Sequence, residues 1–305
     1  MPGKTPKIKH KLTRAERNEA ITGYCFIIPY LIAFVIFTGI PFISAFALSF
    51  MNVKFISKLD NVKFVGIDNF IRMFTSSDAM MALLRSVLYS LIYVPVIMVL
   101  SFLLAYLLNK GVFCKKGIRS MVFMPYVSNM MAVAIIFQIM LGPRGPLYNL
   151  QKSMGIENPV IPFLNLNWAL PTVVLVAVWK GLGLNFLTYL GALQSVPPEL
   201  IEAAEIDGAS KWQQIKNVVI PCVSPTTFFL TISSIITSLQ NFTVIQALTE
   251  GGPGQATTVM SVNIVRTAFT NYETSYAAAQ ALVMFAIVMV ITVIQWRGQQ
   301  KWVHY

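Results

Sequence analysis

Glu199, Glu202, Glu205 and Asp207 put four acids within nine residues of a chain that is 56% hydrophobic and only 11% charged. A charge cluster of this kind ordinarily keeps a connector in water. A second group, Trp179, Asn185, Ser238, Gln240 and Asn241, sets an indole, amides and a hydroxyl into oily sequence. Such groups can hold a polar solute in a wet pathway between helices, or they can pack and bond across helices. Gly181 and Gly183 would let a ligand or a helix approach closely. Neither group indicates catalysis, and no Ser/His/Asp or paired-carboxylate arrangement stands elsewhere. A P-loop needs G-x-x-x-x-G-K-[ST]; Gly3-Lys4-Thr5 lacks the first glycine, and Gly251-Gly252-Pro253-Gly254 has no lysine after it. His10 and His304 lie in the terminal tails without metal-ligand spacing. Cys25, Cys114 and Cys222 have no C-x-x-C spacing and cannot all pair. If this chain moves anything uphill, another chain must supply the energy.

The elements that would position these residues are set by the solvent. A soluble domain carries roughly 25% charged residues, and here the apolar residues come in runs long enough to cross a bilayer core of about 30 Å. Backbone groups in hydrocarbon must be bonded internally, so the runs should be helices. We read an all-α polytopic membrane protein with six spans near residues 24–50, 86–108, 120–141, 168–193, 223–247 and 276–296. The net charge of +11 follows the topology: fourteen Lys and Arg fall on the side of the termini and of the loops at 109–119 and 194–222, against seven on the other. That excess places both termini in the cytoplasm. The organisation is a basic tail over 1–23, a six-span domain over 24–297 and a short tail over 298–305. The basic start resembles a signal peptide, but its apolar run is too long, so it reads as an uncleaved first span.

Pro29, Gly39 and Pro41 predict a kinked first span. The stretch from Phe64 to Phe74 is amphipathic, either a surface helix on the bilayer or a packed connector. All twelve acids lie outside the spans, which argues against a proton-coupled carrier. Lys180 is the one charge inside a span; it snorkels or faces a wet cavity, or it belongs to a pathway. No internal repeat is visible.

The acidic loop itself reads as helix–turn–helix. Pro197-Pro198 suits a first helical turn, Gly208 suits its C-terminal stop, Ser210 with Gln213 makes a capping box, and Pro221 is expected to end the second helix. Its spacing, E-A-A-x₃-G-x₉-I-x-L-P, resembles the cytoplasmic loop of permease subunits of binding-protein-dependent ABC importers. Here it runs Glu202-Ala203-Ala204, Gly208, Val218, Ile220, Pro221, with conservative departures at Val218 and Ile220; Asp207 and Ala209 match its fuller form. Around it the chain resembles the carbohydrate-uptake branch, of the maltose and glycerol-phosphate permease kind, through Phe64-Val65-Gly66-Ile67-Asp68-Asn69-Phe70, Trp179 to Asn185, and Leu248 to Val259 with Arg266-Thr267-Ala268-Phe269 behind it.

That resemblance implies the type I importer permease fold and a transmembrane subunit, not an enzyme, that imports a sugar or oligosaccharide across the bacterial cytoplasmic membrane. It implies ATPase coupling through Glu202, Ala203, Ala204, Asp207, Gly208 and Pro221, with Glu202 paired to a basic residue of the ATPase. It implies a substrate pathway along Trp179, Gly183, Asn185, Phe186, Ser238 and Asn241; Gln240 joins them from the residue reading. The implied partners are a second homologous permease, two ATPase subunits and an external solute-binding protein. ATP and magnesium would sit on the ATPase, and this chain would bind no cofactor of its own. The competing expectations are the same architecture carrying a non-sugar solute such as a glycerophosphodiester, an ATPase-independent secondary transporter, and a non-transporting sensor.

Overall fold

The computed structural model describes residues 13–54, 62–110 and 114–299. His10, His304, Lys4, Lys7, Lys9, Lys11, Lys58 and Lys301 lie outside them, as do most of the basic tail and the end of the C-terminal one. The first apolar run is helical as α1 (Arg14–Phe34), one π-helical turn (Val35–Gly39) and α2 (Ile40–Ser49). The π turn ends at Gly39, within the stretch where Pro29, Gly39 and Pro41 predicted a kink, and the run stays one continuous helix. An antiparallel pair, β1 (Met51–Asn52) with β2 (Lys63–Phe64), leads to α3 (Asp68–Thr75) and then α4 (Ser77–Asn109). Next come α5 (Lys115–Val127), α6 (Met130–Leu141), α7 (Pro146–Ser153) and α8 (Ala169–Gln194). The acidic loop holds α9 (Pro198–Ile206), α10 (Lys211–Gln214), a π turn (Ile215–Val219) and α11 (Ile220–Cys222). The chain ends with α12 (Ser224–Leu239), α13 (Thr243–Leu248), α14 (Met260–Val265) and α15 (Thr274–Gly298). Among the described residues five helices are long and apolar enough to cross a bilayer, or six if the pair Lys211–Cys222 and Ser224–Leu239, bent by 68°, is one span.

α8 is the central post. Its Val173, Val176 and Ala177 are buried in one cluster with Tyr89, Tyr93 and Ile97 of α4 and Ile245 of α13. One turn and more further along, Phe186, Tyr189 and Leu193 join Ala105 and Leu108 of α4, Val219 and Val223 of the loop, and Leu230 of α12. The first cluster holds the spans together and the second roots the acidic loop into them. A third, with Met73 of α3, Leu239, Met260, Tyr276 and Met284, seats α15. There Arg72 of α3 pairs with Glu273 at 2.8 Å and stacks 4.1 Å over the Tyr276 ring. So α3 is a packed connector on its Met73 side, while Ile71 and Phe74 stay exposed on the other.

Three sequence expectations are corrected. The third span is not one helix over 120–141: α5 ends at Val127 and α6 begins at Met130. Pro125 removes a backbone donor inside α5, and Asn129 caps α6 by accepting from the Met131 and Ala132 amides at 2.8 and 3.4 Å. The fifth span does not reach 247 but ends at Leu239, because Asn241 turns the chain and starts a separate α13. The second loop helix, continuous from Lys211 through the π turn to Cys222, ends one residue after Pro221, and the chain bends by 68° at Val223. The second span also starts earlier than read, at Ser77, whose preceding residue Ser76 accepts from the Ala79 amide.

The contact of α5 with α8 depends on a residue without a side chain. A Cβ on Gly183 would stand 3.0 Å from Phe123 Cα, 3.0 Å from Tyr126 Cβ and 3.1 Å from the Val122 carbonyl oxygen. Backbone cannot turn aside as a side chain can. Gly183→Val should destabilise the protein by about 1–3 kcal/mol, read as a lower thermal midpoint in detergent. Gly191→Val, on the same helix with nothing within 4 Å, should move the midpoint far less.

Candidate functional site

Two spans break in the middle of the molecule, and both breaks face Lys180. At the end of α5 the Pro125, Tyr126 and Ser128 carbonyl oxygens face Lys180, and Pro125 also accepts from the capping Ser128 amide at 3.3 Å. The Lys180 ammonium, halfway along α8, donates to all three, at 3.2 Å to Pro125, 3.4 Å to Tyr126 and 2.7 Å to Ser128. The Ser128 hydroxyl takes the Met124 carbonyl at 2.8 Å. Unpaired backbone groups in hydrocarbon cost several kcal/mol each, and a cation at a helix C-terminus also complements its dipole. Lys180 thus does not snorkel to the surface. It caps a broken span.

The second break is held by Asn241. Its amide donates to the Tyr89 hydroxyl at 2.7 Å, its Oδ1 accepts from the Val244 amide at 3.3 Å, and its carbonyl accepts from the Ser261 hydroxyl at 2.9 Å. Tyr89 stacks on Tyr93 with ring centroids 5.8 Å apart. Between the breaks lies a cavity of about 410 Å³, lined by Tyr93, Tyr126, Lys180, Gly181, Thr237, Gln240, Asn241 and Thr243 with apolar neighbours. A Cβ on Gly181 would meet the Tyr93 hydroxyl at 2.6 Å and Ile97 Cδ1 at 2.9 Å, so this glycine lets Tyr93 reach the cavity wall.

The structure brings only Gln240 and Asn241 of the expected pathway residues to that cavity. Ser238 is buried, its hydroxyl bonded to the Ile235 carbonyl and to the Ser90 hydroxyl. Asn185 and Phe186 are buried on the far side of α8, Gly183 is the contact with α5, and Trp179 is partly exposed and edge-on to Phe137 at 5.4 Å. The tyrosines and threonines that complete the lining were not singled out from sequence. A tyrosine in an apolar run looks like core until the helices are assembled. Outside the cavity, the stretch from Leu248 to Val259 is tied into a knot. Thr257 and Thr258 donate to the Gly252 and Gly251 carbonyls, and Arg266 donates to the Glu250 carbonyl at 3.0 Å. Gly251 sits at φ +89°, with no room for a Cβ beside Thr258.

The acidic loop forms the other candidate surface. α9 ends at Ile206, and Gly208 two residues on turns the chain at φ +77°, as glycine at that position allows. The capping box is present: the Ser210 amide donates to Gln213 Oε1 at 2.7 Å, and Ser210 Oγ accepts from the Gln213 amide at 3.4 Å. Glu202, Ala203, Asp207 and Gly208 are exposed, while Ala204 and Pro221 are half-buried. Lys211 bridges Glu205 at 3.1 Å across the turn, an exposed pair. Two further residues change the picture of this loop. Ile206 is 87% exposed and Trp212 68%, so apolar knobs flank the acids on the surface of the loop.

Residues 97–301 match the family model described as "Binding-protein-dependent transport system inner membrane component". The chain belongs to this family. The permease is 32% identical to an sn-glycerol-3-phosphate transport system permease protein, UgpA, of Agrobacterium fabrum, over 93% of its length and 97% of the relative's. It is 30% identical to a lactose transport system permease protein, LacF, of Rhizobium radiobacter, over 94% and 96%. Its fold matches a chain of a bacterial ABC transporter involved in import of the acidic polysaccharide alginate, with a TM-score of 0.82 and 24% identity over 93% and 96% of the two chains. The permease is therefore a multi-pass inner-membrane transport subunit of the ABC importer class.

Asn241→Ala should leave the buried Tyr89 hydroxyl without its partner and free the start of α13. The expected loss is about 0.5–2 kcal/mol, the range for hydrogen bonds between membrane helices. It should appear as a lower thermal midpoint, together with faster amide hydrogen exchange over 241–248 than over the α8 core.

Proposed function

We propose that this permease lines the route of a sugar or polyol-type solute and is driven by a separate ATPase that grips the loop 194–222. The observation that carries the reading is the loop itself. Glu202, Ile206, Asp207 and Trp212 stand exposed around a glycine-determined turn, while Leu193, Val219 and Val223 root both ends in the membrane core. The exposed Ile206 and Trp212 beside the acids supply apolar and charged contacts that a docked partner would cover. A lever that is rigid within and rooted at both ends passes a rigid-body displacement to α8 and α12. ATP binding by the partner would shift the permease between access states in proportion to its differential affinity for them.

The assembly that follows is this chain, a second permease subunit, two ATPase subunits holding ATP and magnesium, and an external solute-binding protein. A related transporter has been described in complex with an alginate pentasaccharide-bound periplasmic protein. The basic loops put both termini in the cytoplasm. The central cavity, with Gln240 and Asn241, is the pathway segment, and relatives named for lactose and for glycerol phosphate point to a carbohydrate or a polyol ester as cargo.

Gly208→Val forces a β-branched residue into a left-handed conformation, and Glu202→Lys reverses the charge that would meet a basic residue. Each should lower ATP-driven uptake on the order of tenfold or more, the scale of a coupling free energy, while the permease still inserts and reaches normal levels. Uptake unchanged in the double variant would sink the lever. Purification from native membrane in mild detergent should recover a nucleotide-binding subunit and a second multi-span chain.

A further inference from the structure

The cavity at the two helix breaks contains an ammonium and no carboxylate. None of its lining residues is Asp or Glu, and the partners of Lys180 are three backbone carbonyls. We propose that this cavity selects solutes bearing a negative charge, such as a sugar acid or a sugar or polyol phosphate. The proposal narrows the cargo of the pathway above and rests on that reading only for the solute passing this way.

The charge balance decides it. Carbonyls at a helix end contribute about half an elementary negative charge, so the ammonium is compensated only in part. Of its three bonds the one to Ser128, at 2.7 Å, is short, while those to Pro125 and Tyr126, at 3.2 and 3.4 Å, are long. An ionised oxygen makes hydrogen bonds roughly twice as strong as neutral ones. Lys180 can therefore turn two of its protons to an arriving carboxylate or phosphate and keep its hold on Ser128. Residual positive charge on the cavity wall raises the local concentration of anionic solute. Gln240, Asn241, Thr237, Thr243 and Tyr93 offer neutral donors and acceptors to the hydroxyls of the same solute. A cation would meet a like charge, and a neutral sugar would gain less from the ammonium than an anion of the same shape.

A lysine that served only as a helix cap would give the same loss of stability on replacement, so the test must read the charge of the cavity. Thr237 and Thr243 are exposed within it. Thr237→Cys is placed in a background with Cys25, Cys114 and Cys222, all free and exposed, replaced by Ser. Membrane vesicles of both orientations are treated with anionic 2-sulfonatoethyl methanethiosulfonate and with its cationic 2-trimethylammonioethyl counterpart, each rate divided by that with a free thiol. The anionic reagent should be favoured on the order of tenfold or more, as charged clefts concentrate counter-ions. The preference should collapse with Lys180→Gln and survive with Lys180→Arg. Thr243→Cys repeats the measurement from the other side of the break if Thr237→Cys fails to assemble. A preference for the cation, no preference, or one untouched by Lys180→Gln overturns the proposal. So does failure of both cysteines to react, because the cavity would then admit no charged solute. The labelling needs neither ATP nor cargo, so its failure is distinguishable from failure of the coupling loop in uptake.

Discussion

A helix that stops inside hydrocarbon must find partners for the carbonyls and amides it abandons, and this requirement organises the centre of the permease. Lys180 and Ser128 take the end of α5, Asn129 takes the start of α6, and Asn241 takes the start of α13. Gln138 reaches from α6 to the Ala247 and Leu248 carbonyls at the end of α13, and Ser86 of α4 accepts from the Met260 amide at the start of α14. Each cap comes from a different element from the one it serves, or from the break itself. The polar side chains scattered through the apolar runs are thus mostly answers to the backbone. Where non-helical backbone occurs at membrane depth it must be buried in protein or line a wet cavity, and here it does the latter.

That accounts for what could be read in the sequence and what could not. The spans follow from composition and length, because the bilayer imposes one answer on any long apolar run. The loop is legible in detail, since Pro198, Gly208 and the Ser210–Gln213 pair act through local backbone geometry within a few residues. The breaks are different. Pro125 and Asn129 mark the third span only as a proline and an amide in oily sequence, and nothing local says that a lysine more than fifty positions away closes the gap. Gln240 and Asn241 were expected to face solute, and they line the cavity, whereas Ser238, one turn back from Asn241, points to Ser90. Direction around a helix axis depends on packing partners, so a cluster of polar residues in sequence splits between wall and core. Ile206 and Trp212 escaped notice for the opposite reason. Apolar residues in a membrane chain draw no attention until the fold shows them exposed beside the acids of the loop.

α8 then joins the two halves of the problem. It carries Lys180 at its middle, Gly181 and Gly183 on the turn beside it, and the root of the acidic loop at its end. Gly183 brings the α5 backbone against it and Lys180 ties the α5 terminus to it, so α5 and α8 are linked by a steric contact and by hydrogen bonds only a few residues apart. Leu193 and Val196 at the other end share a cluster with Val219 and Val223 of the loop. A displacement of the loop therefore has a continuous, close-packed path to the helix break that walls the cavity, and close-packed interiors pass displacement on because they have little free volume to absorb it.

The same geometry explains why a lysine and not an arginine or a neutral donor suits that position. A protonated amine has three donors on a flexible stem, which lets it serve three carbonyls at unequal distances and exchange the two long bonds without releasing the short one. An asparagine there could cap at most two carbonyls and would lack both reach and charge. A fixed guanidinium fork would favour a planar pair of acceptors over carbonyls from three different residues. The position thus calls for a group that holds a helix end in place and can still yield to the wall's other occupants, and the long bonds to Pro125 and Tyr126 are where it can yield.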